Sequence, residues 1–151
     1  MNINKYPLIK IYTNEIEKTQ SRGGDLALIF IVGATCELIL REIMDIATNN
    51  TIGMERLIFS GLAKNIINQK QAVLFNDIRE IRNKYIHIDV DKIINDYCYF
   101  LIKPNGLIEN INEIILNNFS KKNLEKVVNI HISEDSLLAY KKFNQLIMIL
   151  P

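Results

Sequence analysis

The stretch "LALIFIVGATC", Leu26 to Cys36, is the longest apolar run in the chain and stops at Glu37. It is too short to cross a bilayer, which takes about 20 apolar residues. A helix over this run is apolar nearly all round, so it has no face to give to water and must lie at the centre of a bundle. The rest of the sequence supplies the surrounding helices. Ile9, Tyr12 and Ile16 step by three and four residues, which predicts a first helix from Lys5 to about Ser21. "SRGGD" breaks that helix and offers Asp25 as an N-cap for the apolar one, which should run to about Ala47. "TNNTIG", Thr48 to Gly53, reads as a loop. "MERLIFSGLAKNIIN" reads as one or two short helices interrupted near Ser60 and Gly61, and Gln69 to about Ile88 as a further helix.

Beyond that point Asp89 or Asp91 would cap a helix over "DKIINDYCYFLI" that stops at "KPNG". The same region, from Tyr97 to Ile111, also suits a β-hairpin turning at Asn-Gly. The spacing of Ile93, Ile94, Tyr97 and Leu101 favours the helix. Ile111 to Leu150 reads as two or three amphipathic helices, with a short strand as the alternative at "VVNIHIS", Val127 to Ser133. There is no internal repeat and no long linker. The expectation is one all-α domain, a helical bundle with a core of about residues 5–102 and a helical C-terminal extension over about 107–151.

Composition narrows the function classes. Apolar residues make up 48% and charged residues 23%, a globular balance. With 18 basic and 17 acidic residues the formal charge is +1, which argues against coating nucleic acid by bulk charge and leaves room for a local patch. Cys36 and Cys98 both lie inside apolar segments without a disulfide pattern, which suggests a reducing, intracellular setting. Two histidines and no CxxC pair give no recognisable metal-ligand spacing, and no cofactor is predicted. "MNINKYPLIKIY" lacks the apolar core and small cleavage-site residues of a signal peptide. A soluble, cytoplasmic protein with no membrane partner is expected.

The segment "DIREIRNKYIHID", residues 77–89, holds the chemistry. On a helical wheel Leu74, Ile78, Ile81, Tyr85 and Ile88 form a core stripe, while Asp77, Glu80 and Lys84 fall on the far side, with Glu80 and Lys84 one turn apart. A third arc holds Phe75, Arg79, Arg82, Asn83, Ile86 and His87, a mixture that suits an interface with another chain, a second copy or a ligand. Asn83 and His87 face the same way, whereas Arg82 and His87 lie roughly 140° apart. One helix therefore does not complete a site, and a two-fold dimer through the Phe75, Arg79, Arg82 and Ile86 face would. Histidine moves protons near neutral pH and arginine holds a phosphate in its planar fork. Asparagine can orient either. Together they suit RNA phosphodiester cleavage, which needs no metal when the 2′-hydroxyl is the nucleophile. The plainer alternative is a polar helix flank in which Arg82 buttresses Glu37, an acid amid apolar neighbours that is costly to bury unpaired.

"IREIRNKYIH", with Arg82-Asn83, three further residues and His87, resembles the R-x4-6-H motif, in its RNxxxH form, of the HEPN superfamily. The resemblance spans about residues 24–102 and implies an up-down helical bundle, often dimeric. Many members are metal-independent endoribonucleases of toxin–antitoxin, abortive-infection and CRISPR-associated systems; others are non-catalytic dimerisation, nucleotide-binding or protein-interaction modules. It implies Arg82 and His87 as the catalytic pair, Asn83 in support, RNA as substrate, and an antitoxin or regulatory protein as a partner. Glu37, on an earlier helix, matches the acidic or polar residue that members often place facing the motif, and Arg79 is a supporting cation on the motif helix. Members paired with a nucleotidyltransferase antitoxin have a tyrosine two residues after the histidine. Asp89 stands there in this chain.

Overall fold

In the computed structural model the long apolar run forms the N-terminal half of a helix that touches every other described helix. The structure describes residues 5–47, 49–86 and 121–150, with side chains from residue 129 in the last segment. All regular structure in these residues is helical: α1 (Pro7–Ser21), α2 (Asp25–Ile43), α3 (Met54–Ala63), α4 (Gln69–Ile86) and α5 (Lys121–Ile149). No described helix is long and apolar enough to cross a membrane. His87, Ile88, Asp89, Asp91 and Cys98, the expected helix over "DKIINDYCYFLI" and its hairpin alternative lie outside the described residues.

Local chemistry sets the helix limits. Pro7 opens α1, where its missing N–H costs nothing and its fixed φ suits the first turn. Beyond Ser21 the chain reverses through Gly23, whose φ of 71° is left-handed and free of strain only for glycine. Gly24, and not the expected Asp25, is the N-cap of α2. Asp25 sits inside the first turn, where a carboxylate is favoured by the helix dipole, and its Oδ1 accepts a 2.7 Å hydrogen bond from the Ser136 hydroxyl of α5. α2 ends at Ile43, short of the expected Ala47, where Asp45 turns left-handed at φ 53°. α3 runs unbroken through Ser60 and Gly61, and the interruption falls later, at Asn65 with φ 56°. The start of α4 is a reciprocal capping box: Asn68 Oδ1 accepts from the Gln71 N–H at 2.9 Å, and Gln71 Oε1 from the Asn68 N–H at 2.7 Å.

Packing centres on α2, with Leu28, Ile29, Val32, Cys36, Ile39 and Leu40 all buried. Ile9 and Ile16 of α1, Leu57 of α3, Ile78 of α4 and Phe143 and Leu146 of α5 close around it. Each fully buried aliphatic side chain contributes about 1.5–3 kcal/mol, which is what fixes so apolar a helix at the centre. The described part of the C-terminal third is one helix of 29 residues, with "VVNIHIS" inside it and no strand there. This helix packs on α2 and α4 and brings Ala139, Phe143, Leu146 and Leu150 into the common core. The Gln71 amide also donates to the Ile149 carbonyl at 2.8 Å, tying the end of α5 to the start of α4.

Candidate functional site

The core stripe of α4 is as expected, with Leu74, Ile78, Ile81 and Tyr85 buried. Two of its other assignments are corrected. Phe75 is fully buried within the chain and cannot belong to a dimer face. The far side of α4 is only partly solvated: Glu80 is exposed as expected, but α5 meets Asp77 and Lys84. There Lys142 Nζ lies 2.6 Å from Asp77 Oδ2, and Lys84 Nζ and the Tyr85 hydroxyl reach Asp135 Oδ2 at 3.4 and 2.7 Å. Lys84 thus pairs with Asp135, while Glu80 accepts from the Asn76 amide at 3.0 Å. The helix α5 lies far away in sequence, so the wheel assigned its docking side to solvent.

Arg82 and Asn83 lie in the last turns of α4, and both are half-buried. The stem of Arg82 crosses α2 at Gly33. A Cβ on residue 33 would stand 2.5 Å from Arg82 Cδ and 3.1 Å from Cγ. That close approach carries the guanidinium to Glu37, one turn further along α2, where Arg82 Nη1 meets Glu37 Oε2 at 3.4 Å. Arg82 Nη2 is 3.4 Å from Asn83 Oδ1, and Arg82 Nε is buried with no acceptor among the described residues. These contacts are long for charge-assisted hydrogen bonds, which run about 2.7–2.9 Å. The guanidinium is therefore positioned without being saturated.

Glu37 is held from its other side by Arg41. Arg41 Nη2 donates to Glu37 Oε1 at 2.9 Å and to the Ile52 carbonyl at 2.6 Å. Nη1 reaches the Ala47 carbonyl at 3.4 Å, so the loop between α2 and α3 locks this buried arginine in place. The result is an Arg41–Glu37–Arg82 triad of formal charge +1, with one firmly held cation and one loosely held. It borders a cleft of about 400 Å³, which Tyr12 and Leu8 of α1 also line. Arg79 belongs elsewhere. Asn76 Oδ1 accepts from its Nε and Nη2 at 3.1 and 2.9 Å, and it lies 3.9 Å from Glu55 and 3.8 Å from Glu80.

Cys36 is fully buried one residue before Glu37. Desolvation pushes its thiol far above the ordinary range, with the nearby Arg82 charge only partly opposing. A thiol so strongly held neutral is a core group and not a nucleophile. No group of three or more potential metal-ligating side chains occurs among the described residues.

The pairing of Arg82 with Glu37 was anticipated, whereas Arg41, Gly33 and Tyr12 were not. Arg41 had a signal, because it stands four residues after Glu37 on the same helix face. Gly33 had one too. A glycine inside an apolar helix costs about 1 kcal/mol relative to alanine and marks a close approach. Tyr12 shows in the sequence only as part of the α1 stripe. Comparison with known proteins finds no match: no family model, no curated protein and no solved structure is similar to this chain.

Proposed function

We propose that this chain is a HEPN-type, metal-independent endoribonuclease acting in a cytoplasmic toxin–antitoxin or phage-defence setting. The observation that carries the reading is the state of Arg82, a cation delivered to the edge of a cleft, aligned by Glu37 and Asn83, and not saturated by either. A guanidinium in that state is ready to take a phosphate. The all-helical bundle, with the motif helix packed on an apolar α2, is consistent with the resemblance.

In this mechanism Arg82 grips the scissile phosphate and stabilises the charge that builds on its oxygens. The neighbouring 2′-hydroxyl attacks phosphorus and the bond to the 5′-oxygen breaks, leaving a 2′,3′-cyclic phosphate and a 5′-hydroxyl. His87 moves the proton taken from the nucleophile or given to the leaving oxygen, and Asn83 orients the phosphate or the imidazole. A dimer would use the remaining residues of the proposed face, Arg79, Arg82 and Ile86, of which Ile86 is half exposed. The test is RNA cleavage by the purified chain in EDTA, alongside His87→Ala. Cleavage to cyclic-phosphate ends that depends on His87 is expected; cleavage that requires a metal, or persists undiminished in the variant, overturns the mechanism.

A second reading draws on one observation: Glu37 already faces Arg82 and Arg41 together. On that reading the arginine is a structural buttress and the chain is a non-catalytic HEPN-like dimerisation, nucleotide-binding or protein-interaction module. It predicts no RNA cleavage and loss of self-association in Ile86→Glu.

A further inference from the structure

The cleft beside Arg82 carries an apolar side that phosphate binding alone does not require. Leu8 and Tyr12, one turn apart on α1, line it while remaining 49% and 39% exposed, and Ala34 and Leu38 of α2 add apolar surface. Among the described residues its loosely engaged cation is Arg82, with long contacts to Glu37 and Asn83 and a buried Nε that meets no acceptor there. The cavity, about 400 Å³, is at the lower end of the range for small ligands and suits one nucleotide unit rather than a duplex. A matching ligand joins an anion to a flat apolar face. One nucleotide of single-stranded RNA does this, with its phosphate for a guanidinium and its base for an aromatic ring.

We infer that Tyr12 is the base-stacking residue of this cleft and holds the nucleotide whose phosphate Arg82 takes. The inference rests on the ribonuclease reading for its ligand and adds what that reading lacks, a contact that selects unpaired RNA. Every base presents a ring face, so stacking on Tyr12 tolerates all of them. Bases stacked inside a duplex do not reach it. The site therefore prefers single strands with little sequence bias. Tyr12 binds and positions and takes no part in proton transfer.

The experiment measures fluorescence anisotropy of a labelled 2′-O-methyl RNA pentamer, which cannot be cleaved, with the full chain and its Tyr12→Ala, Tyr12→Phe and Arg82→Ala variants. Tyr12→Ala should weaken binding roughly tenfold or more, and Tyr12→Phe should bind like the unsubstituted chain. Arg82→Ala should weaken binding and lower the salt slope by about one. As competitors, 5′-AMP should displace the pentamer better than ribose 5-phosphate, and Tyr12→Ala should erase that preference. Equal binding by Tyr12→Ala, no binding at all, or equal competition by ribose 5-phosphate overturns the inference. So does tighter binding of 5′-AMP than of the pentamer, which would make a free nucleotide the ligand. Tyr12 is exposed, and an unchanged thermal transition checks that its two variants fold, while a cooperative thermal transition checks Arg82→Ala. The two readings fail separately: Tyr12-dependent binding without cleavage removes only the catalysis, and cleavage indifferent to Tyr12→Ala removes only the stacking site.

Discussion

Gly33→Ala tests the contact on which the site is built. The added Cβ would stand 2.5 Å from Arg82 Cδ, 3.1 Å from Cγ and 3.3 Å from Cβ. The first distance is below any real carbon contact, and the clash involves the stem of the arginine as well as its reach, so a rotamer change at the tip does not relieve it. Overpacking of this kind costs about 1–3 kcal/mol. Alanine gains about 1 kcal/mol over glycine in a helix interior. The net loss expected is up to about 2 kcal/mol, a fall in Tm of a few degrees for a domain of this size. The sign should reverse when the stem is removed. In an Arg82→Ala background only the 3.3 Å approach of the two Cβ atoms remains, and Gly33→Ala should then stabilise by about 1 kcal/mol. Urea denaturation of the four proteins in the cycle measures a coupling of about 1–3 kcal/mol. An equal effect of Gly33→Ala in both backgrounds would show that Arg82 does not cross α2 at this glycine. If the ribonuclease reading holds, Gly33→Ala also lowers cleavage by displacing the phosphate-binding cation.

Glu37→Gln removes the carboxylate shared by two guanidiniums and should destabilise the chain by about 1–3 kcal/mol, measured by urea denaturation, even though Arg41 keeps its bonds to the Ile52 and Ala47 carbonyls. Cys36 sets a dependence on high pH. Its folded-state pKa is raised, so the unfolded chain loses this proton first, and the stability it contributes is complete below the ordinary thiol pKa of about 8.5 and is lost as pH rises above it. Denaturation curves between neutral pH and about pH 10 should show a steeper decline for the unsubstituted chain than for Cys36→Ala, with a difference approaching about 1.4 kcal/mol per pH unit. Parallel declines would mean that the thiol titrates alike in both states. Phe143→Ala, in the buried face of α5, should cost about 3–5 kcal/mol by the same assay. A loss below about 1 kcal/mol would mean that α5 does not share the core.

Much of the helical plan was legible because it rests on local physics. The breaks near Gly23 and Asn50, the apolar stripe of α4 and the central place of α2 follow from periodicity and turn chemistry, although α2 is not buried all round and leaves Leu26, Ala27 and Ala34 exposed on one side. The errors have identifiable causes. Ser60-Gly61 looked like a helix break because glycine is a poor helix former, yet Leu57, Ile58 and Gly61 are buried in the bundle and packing overrides that weak preference. Asp77 and Lys84 on the far face of α4 read as solvated because they are charged, and the partners that meet them, Lys142 and Asp135, are more than 50 residues away, while Glu80 between them is exposed as its charge suggests. Phe75 looked like interface because a wheel ranks neighbours on one helix and says nothing of how wide the buried face becomes when α2, α3 and α5 all press on α4.

For the candidate site the division is sharper. Sequence alone determined that Arg82 and Asn83 share a helix flank and that Glu37, in an apolar helix, needed a cation, because both follow from helical geometry and the cost of burying a charge. Which cation it found, and how tightly, was settled only by tertiary structure. Arg41 takes the short bond because loop carbonyls fix it in place, and Arg82 takes the long one because its stem must cross Gly33 to arrive. The placement of Tyr12 on the same cleft depended on the packing of α1 against α2, a contact between residues more than 20 apart that no local pattern encodes.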